Sequence, residues 1–199
     1  MNPIHAELAQ SPSPLLGLLV LLPFLLAGLV AVMQSVSTAR VIAVGGALGT
    51  LVLAGWLAIA LLGDGGQSEL VWVPDPAFTI TGPPIAFAPQ LALNGVSVWL
   101  VLLSALLVPL AMLASIGPVR EHEKSYLAWM LVLLGALLGA FAADDVLLFY
   151  VFFEVTLIPA YFLIAGWGDV DRRPAAGRFF LFTFAGSVFM LAAIVFGGG

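Results

Sequence analysis

The sequence predicts an all-α fold, a polytopic membrane bundle of about six helices with its N- and C-termini on the outer side. Three observations carry that expectation. The chain of 199 residues is 62% hydrophobic and 9% charged, with a mean hydropathy of +1.17, more apolar surface than a soluble domain of this size can hide. Six apolar runs reach membrane-spanning length, at about residues 15–33, 41–62, 93–116, 126–143, 146–165 and 179–196. All six basic residues fall on alternate connections, Arg40 on the first, Arg120 and Lys124 on the third, and Arg172, Arg173 and Arg178 on the fifth. By the positive-inside rule loops 34–40, 117–125 and 167–178 are expected to be cytoplasmic. Residues 1–199 then form a single membrane domain.

In chain order, residues 1–14 lack the basic region of a secretory signal and contain Glu7, so the first run is expected to stay as a retained helix. Pro23 there and Pro109 in the third run are expected to kink their helices. Gly45 and Gly49 in the second run, and Gly135 and Gly139 in the fourth, stand four apart and predict close approach of a neighbouring helix. The long connection 63–92 holds five prolines, Pro74, Pro76, Pro83, Pro84 and Pro89, which forbid a helix. Its Trp72 and Phe78 suit a loop that lies on the membrane surface or packs over the bundle, and anchoring at the surface is the expectation. Asp144 and Asp145 make the whole turn before the fifth run, where an aspartate caps a helix and suits its dipole. In the sixth run Thr183 and Ser187 share a face; they either extend a hydrogen-bonded path or bond to their own backbone.

Several chemistries are excluded. With no cysteine, the chain holds no disulfide, iron–sulfur cluster or thiolate zinc site. Its two histidines, His5 and His122, have no second ligand at metal-binding spacing, so no metal site is expected and His122 reads as a solvated loop residue. There is no basic patch for nucleic acid and no βαβ unit for a dinucleotide.

Glu154 stands out as a lone carboxylate in an apolar run. If the helix starts near Val146, Glu154 lies about 12 Å along it, near the middle of a hydrocarbon core roughly 30 Å thick. An ionised group there costs about 2.5–3.5 kcal/mol on insertion scales, so it takes part in ion movement or clamps one helix to another. Leu147, Tyr150, Glu154, Ile158 and Tyr161 share one stripe, which sets two phenol hydroxyls along the membrane normal on either side of the acid. Pro159 has no N–H for the carbonyl of Val155, which frees an acceptor beside the carboxylate. No lysine or arginine lies in any apolar run, so another polypeptide or a further helix is expected to cover the Glu154 face and bring a basic residue to it.

The motifs Phe149-Tyr-x-Phe-Phe-Glu-x-x-Leu-Ile-Pro-x-Tyr-Phe-Leu-Ile-x-x-Trp-Gly168 and Arg178-Phe-Phe-Leu-Phe-Thr-x-x-Gly-Ser187 resemble the antiporter-like membrane subunits of respiratory complex I, most closely subunit M, the counterpart of mitochondrial subunit 4. Weaker likeness reaches back to Trp72-Val-Pro74 and Leu93-Asn-Gly-Val-Ser97, so the resemblance covers roughly residues 70–196. Asn94 stands where that family commonly has Asp, Arg178 where it often has Lys, and Phe182 where it often has Tyr. The Asn94 difference argues against a charged role at that position. The resemblance implies a proton-translocating subunit of an NADH:quinone oxidoreductase in the bacterial inner membrane, multi-pass, without a redox cofactor of its own, with other membrane subunits as partners. It also implies that Glu154 transfers protons opposite a lysine on a following helix, with Tyr150, Pro159, Tyr161, Thr183 and Ser187 in support. The alternatives are a subunit of a Mrp-type cation/proton antiporter or membrane-bound hydrogenase, and a purely structural membrane subunit with Glu154 as a fixed clamp.

Overall fold

The computed structural model describes residues 14–63, 69–73, 90–119 and 121–197, with side chains described as far as residue 193. Six helices run in the order α1 (Pro14–Val32), α2 (Val36–Leu62), α3 (Ser97–Ser115), α4 (Glu123–Ala142), α5 (Val146–Trp167) and α6 (Arg172–Gly197). All six are long and apolar enough to cross a membrane. The chain is therefore a polytopic all-α membrane bundle.

The helix ends differ from those expected, for a physical reason. Helices continue past the apolar runs into polar sequence, which water and headgroups solvate. Ser35 caps α2, its hydroxyl accepting from the backbone N–H of Thr38 at 3.4 Å, so the helix starts at Val36 and includes Arg40. Lys124 lies in the first turn of α4, and α6 starts at Arg172, seven residues before the apolar run. Arg40, Lys124, Arg172, Arg173 and Arg178 are thus helical residues rather than loop residues; Arg120 lies outside the described residues.

The third helix starts late because residues 91–93 are a strand. β1 (Leu70–Trp72) pairs antiparallel with β2 (Leu91–Leu93), Leu70 opposite Leu93 and Trp72 opposite Leu91. Both strands have three residues, too few for a readable alternation. Asn94 then closes the turn into α3: its Oδ1 accepts from the N–H groups of Val96 and Ser97 at 3.0 and 2.9 Å, and its own N–H donates to Ser97 Oγ at 2.9 Å. Trp72 takes the second of the two expected arrangements and packs over the bundle. It packs over α1 so closely that a Cβ on Gly17 would lie 2.8 Å from its ring. Phe78 lies outside the described residues.

α4 is the centre of the bundle, packed against α1, α2, α3 and α5. Its Leu127, Leu131, Leu134 and Leu138 recur at helical spacing and are at most 1% exposed. α2 offers Ala39, Ala43 and Ala47, all fully buried, as a strip of small side chains that lets helices approach. The glycines of α4 do the same. A Cβ on Gly135 would lie 2.7 Å from the ring of Phe24 in α1, and one on Gly139 would run into Phe152 of α5. In α2 the expected pair Gly45 and Gly49 meets nothing within 4 Å; Gly46, under Leu26, makes the close contact instead. Pro23 and Pro109 stand inside continuous helices.

One end of the bundle gathers the described basic residues. Arg40 Nε and Nη2 donate to Glu123 Oε1 and Oε2 at 2.6 and 2.7 Å, which ties α2 to α4. Lys124 Nζ donates to the carbonyl of Met33 at 2.9 Å, just past the last turn of α1, where a cation complements the helix dipole. Trp167 Nε1 donates to the carbonyl of Glu121 at 2.9 Å. At the opposite end lie the β-hairpin, the Asp144 N–H donating to the carbonyl of Gln90 at 3.0 Å, and the start of α5.

Candidate functional site

α5 and α6 form an arm outside the four-helix core. About half of the α4 span is buried (56%), but only 11% of the spans of α5 and α6, because α5 packs mainly on α4 and α6, and α6 mainly on α5. The arm is positioned at its base by Asp145, whose Oδ1 accepts from the N–H groups of Leu147 and Leu148 at 2.8 and 2.9 Å; it caps α5 as the sequence predicts. Phe152 seats on Gly139, and Phe162 stacks on Trp129 of α4 with centroids 4.4 Å apart. Leu157 and Pro159 are buried.

On this arm the polar stripe of α5 lies along its contact with α6. Tyr161 meets Phe180 edge-on, with ring centroids 5.9 Å apart. Nearer the other end, the Tyr150 phenol lies close to the Glu154 carboxylate and the Ser187 hydroxyl. α6 therefore runs antiparallel to α5 and brings Ser187 level with Tyr150 and Glu154. Ser187 is buried and donates to the carbonyl of Phe184 at 2.8 Å; Thr183 donates to that of Phe179 at 2.8 Å. Both hydroxyl protons are thus committed to their own helix, the commoner of the two arrangements. Ile158, in the same stripe, is 46% exposed, so the stripe runs along an edge of the arm.

Glu154 is half-buried, and its Oε1 is buried without a hydrogen-bond partner. Among the described residues it is the only buried side-chain polar atom so placed. A buried carboxylate oxygen without a partner is costly, and the described residues supply none. No described cation is near: the arginines of α6 lie in its first two turns, and Arg178 is nine residues, roughly 13 Å along the axis, from Ser187. The arrangement can hold a proton at Glu154 and pass hydrogen bonds to Tyr150. Among the described residues no group of three His, Cys, Asp or Glu side chains gathers. His122 is exposed, with a left-handed backbone (φ 52°); His5 lies outside the described residues.

Of the site residues expected from sequence, Tyr150, Glu154 and Ser187 come together; Tyr161 lies further along the same helix contact, Thr183 bonds to its own backbone and Pro159 is buried inside α5. Sequence reasoning did not find Phe180 opposite Tyr161, nor Phe152 on Gly139, because both contacts join different helices and leave no periodic signal.

Residues 143–196, which contain α5 and most of α6, match the family described as NADH:quinone oxidoreductase/Mrp antiporter, TM. In fold and in the matched segment the chain is similar to the antiporter-like membrane subunits of complex I-type respiratory assemblies. Within that class the likeness is to subunit M and chain 4. The chain is 38% identical over 107 residues to NADH-quinone oxidoreductase subunit M of Rickettsia typhi, covering 54% of this chain and 22% of that protein. It is 37% identical over 147 residues to NADH-ubiquinone oxidoreductase chain 4 of Metridium senile, covering 73% of this chain and 29% of that one. A chain in the structure of the membrane-bound sulfane sulfur reductase, an archaeal respiratory membrane complex, superposes with a TM-score of 0.78 at 25% identity, covering 93% of this chain and 37% of the other. This chain thus spans about a quarter of the length of the curated relatives it matches.

Proposed function

We propose that this chain contributes to proton translocation in a respiratory NADH:quinone oxidoreductase, as part of an antiporter-like subunit whose helix α5 carries a proton-exchanging glutamate, Glu154. The observation that carries the reading is the unmatched Oε1 of Glu154, inside an apolar helix of the family-matched segment. The chain performs charge movement rather than redox chemistry, and other subunits supply the electrons. Glu154 then serves as the group that exchanges the proton. A lysine or arginine brought up by a neighbouring helix stabilises the carboxylate and releases the proton; its withdrawal draws one back. Tyr150 is the first relay group on either pass, and Ser187 and the Pro159-freed carbonyl of Val155 supply acceptors for water.

A second reading, a subunit of a Mrp-type antiporter or of another respiratory membrane complex, is favoured by the breadth of the matched family and by the likeness to the sulfane sulfur reductase chain. Mass spectrometry of chains that co-purify with this one separates the two. Flavin and iron–sulfur subunits of an NADH dehydrogenase are expected; antiporter subunits alone would overturn the first reading.

In this reading the basic end of the bundle faces the cytoplasm of a bacterial cell, and the β-hairpin faces outward. The cysteine-free chain allows single-cysteine labelling. Glu69→Cys is expected to react with an impermeant maleimide added outside intact cells, and Val170→Cys only after the cells are opened. The reverse pattern would invert the topology.

A further inference from the structure

We propose that the basic end holds an anionic phospholipid, its phosphate in a polar cleft at the head of α6 and one acyl chain in an apolar groove between α1 and α4. The cleft, about 670 Å³, is lined by His122, Ser125, Trp167, Arg172 and Arg173 among others. The groove, about 440 Å³, is lined by Phe24, Ala27, Gly28 and Ala31 of α1 and by Ser125, Ala128, Trp129 and Val132 of α4, with Lys124 at its upper end. Ser125 lines both, which sets the cleft and the groove at the same turn of α4. From Ser125 to Val132 the groove descends seven residues, roughly 10 Å, from the helix ends toward the centre of the bundle.

Charge and shape select the occupant. Arg172 and Arg173 are exposed and have no ion-pair partner among the described residues, where the one salt bridge is Arg40–Glu123. Glu121 is the one acid lining the cleft; Asp169 and Asp171, in the turn before α6, do not line it. Two cations against one acid at the level of helix ends suit a phosphodiester, which a bilayer presents at that depth. Below it the small residues Ala27, Gly28 and Ala31 leave a channel walled by Trp129, itself held flat on Phe162. A Cβ on Gly28 would meet nothing within 4 Å, so the groove is open at that point. A protein helix in the groove would leave the two arginines of the cleft unmatched; a lipid satisfies both regions with one molecule.

Native mass spectrometry of the purified chain in detergent, with equal amounts of phosphatidylglycerol and phosphatidylcholine, tests this. Two interfacial arginines should give about a tenfold or greater preference for phosphatidylglycerol. The double variant Arg172→Gln/Arg173→Gln should retain both lipids equally. Gly28→Leu, at a position where a Cβ meets nothing within 4 Å and the longer side chain enters the groove, should lower retention of both. Millimolar inorganic phosphate should not displace the lipid. The proposal is overturned by equal retention in the unaltered chain, by a preference that survives the double variant, by undiminished retention in Gly28→Leu, or by displacement with phosphate, which would mark a free-anion site.

Discussion

Glu154→Gln in the assembled respiratory complex is expected to leave assembly intact and to slow the proton-transfer step of this subunit by about 100-fold or more, the usual loss when a positioned proton-transfer group is removed. Glutamine keeps the size of the side chain and places a neutral amide where Oε1 has no partner, so packing along α5 and α6 stays as it is. What it loses is the ability to take up and release a proton and to attract a cation. Glu154→Asp keeps both but withdraws the carboxyl by one methylene from Tyr150, and should retain part of the rate. Protons moved per electron in sealed vesicles check this. An unchanged ratio and rate in a normally assembled Glu154→Gln complex would make Glu154 a fixed clamp.

Gly139→Leu is expected to destabilise the chain by roughly 1–3 kcal/mol, the range for overpacking a filled interior. The reason is geometric: any side chain at Gly139 runs into the Phe152 ring, two residues from Glu154. Relief requires α5 to move outward from α4, and few other contacts hold it there, since α5 packs mainly on α4 and α6. Gly49→Leu, at a glycine with open space around it, should be close to neutral. Denaturant unfolding of both variants in micelles measures the difference. Equal effects at the two positions would show that the Gly139 approach is not what seats the arm.

The contrast between those two glycines also shows how far sequence alone carries. A Gly at i and i+4 marks a face that can approach a neighbour, yet whether a neighbour stands there depends on the other helix; α4 meets Phe24 and Phe152, whereas Gly45 and Gly49 meet nothing. Helix existence was legible because a bilayer demands long apolar runs. Helix ends were not, because Val36 to Arg40 and Arg172 to Arg178 are polar enough to read as loop while Ser35 and the interfacial setting keep them helical. The strand pairing of Trp72 was missed for a related reason: its strand has three residues, and its partner Leu91 lies in the 63–92 connection that reads as loop. On α5 the reverse holds. One helix wheel put Tyr150, Glu154 and Tyr161 on a common stripe, since those relations are internal to one helix. What faces the stripe, Phe180 and Ser187 on α6, depends on tertiary packing, as does the Arg40–Glu123 pair across 83 residues of sequence.

The central claim is that Glu154 changes its protonation state as the complex works. Infrared difference spectroscopy of the assembled complex, at rest and during turnover, reads this directly through the C=O stretch of a protonated carboxyl group. A band in that region should appear or disappear on turnover in the unaltered complex and be missing from Glu154→Gln. A difference spectrum without any carboxyl band, or one that is the same in Glu154→Gln, would contradict the account.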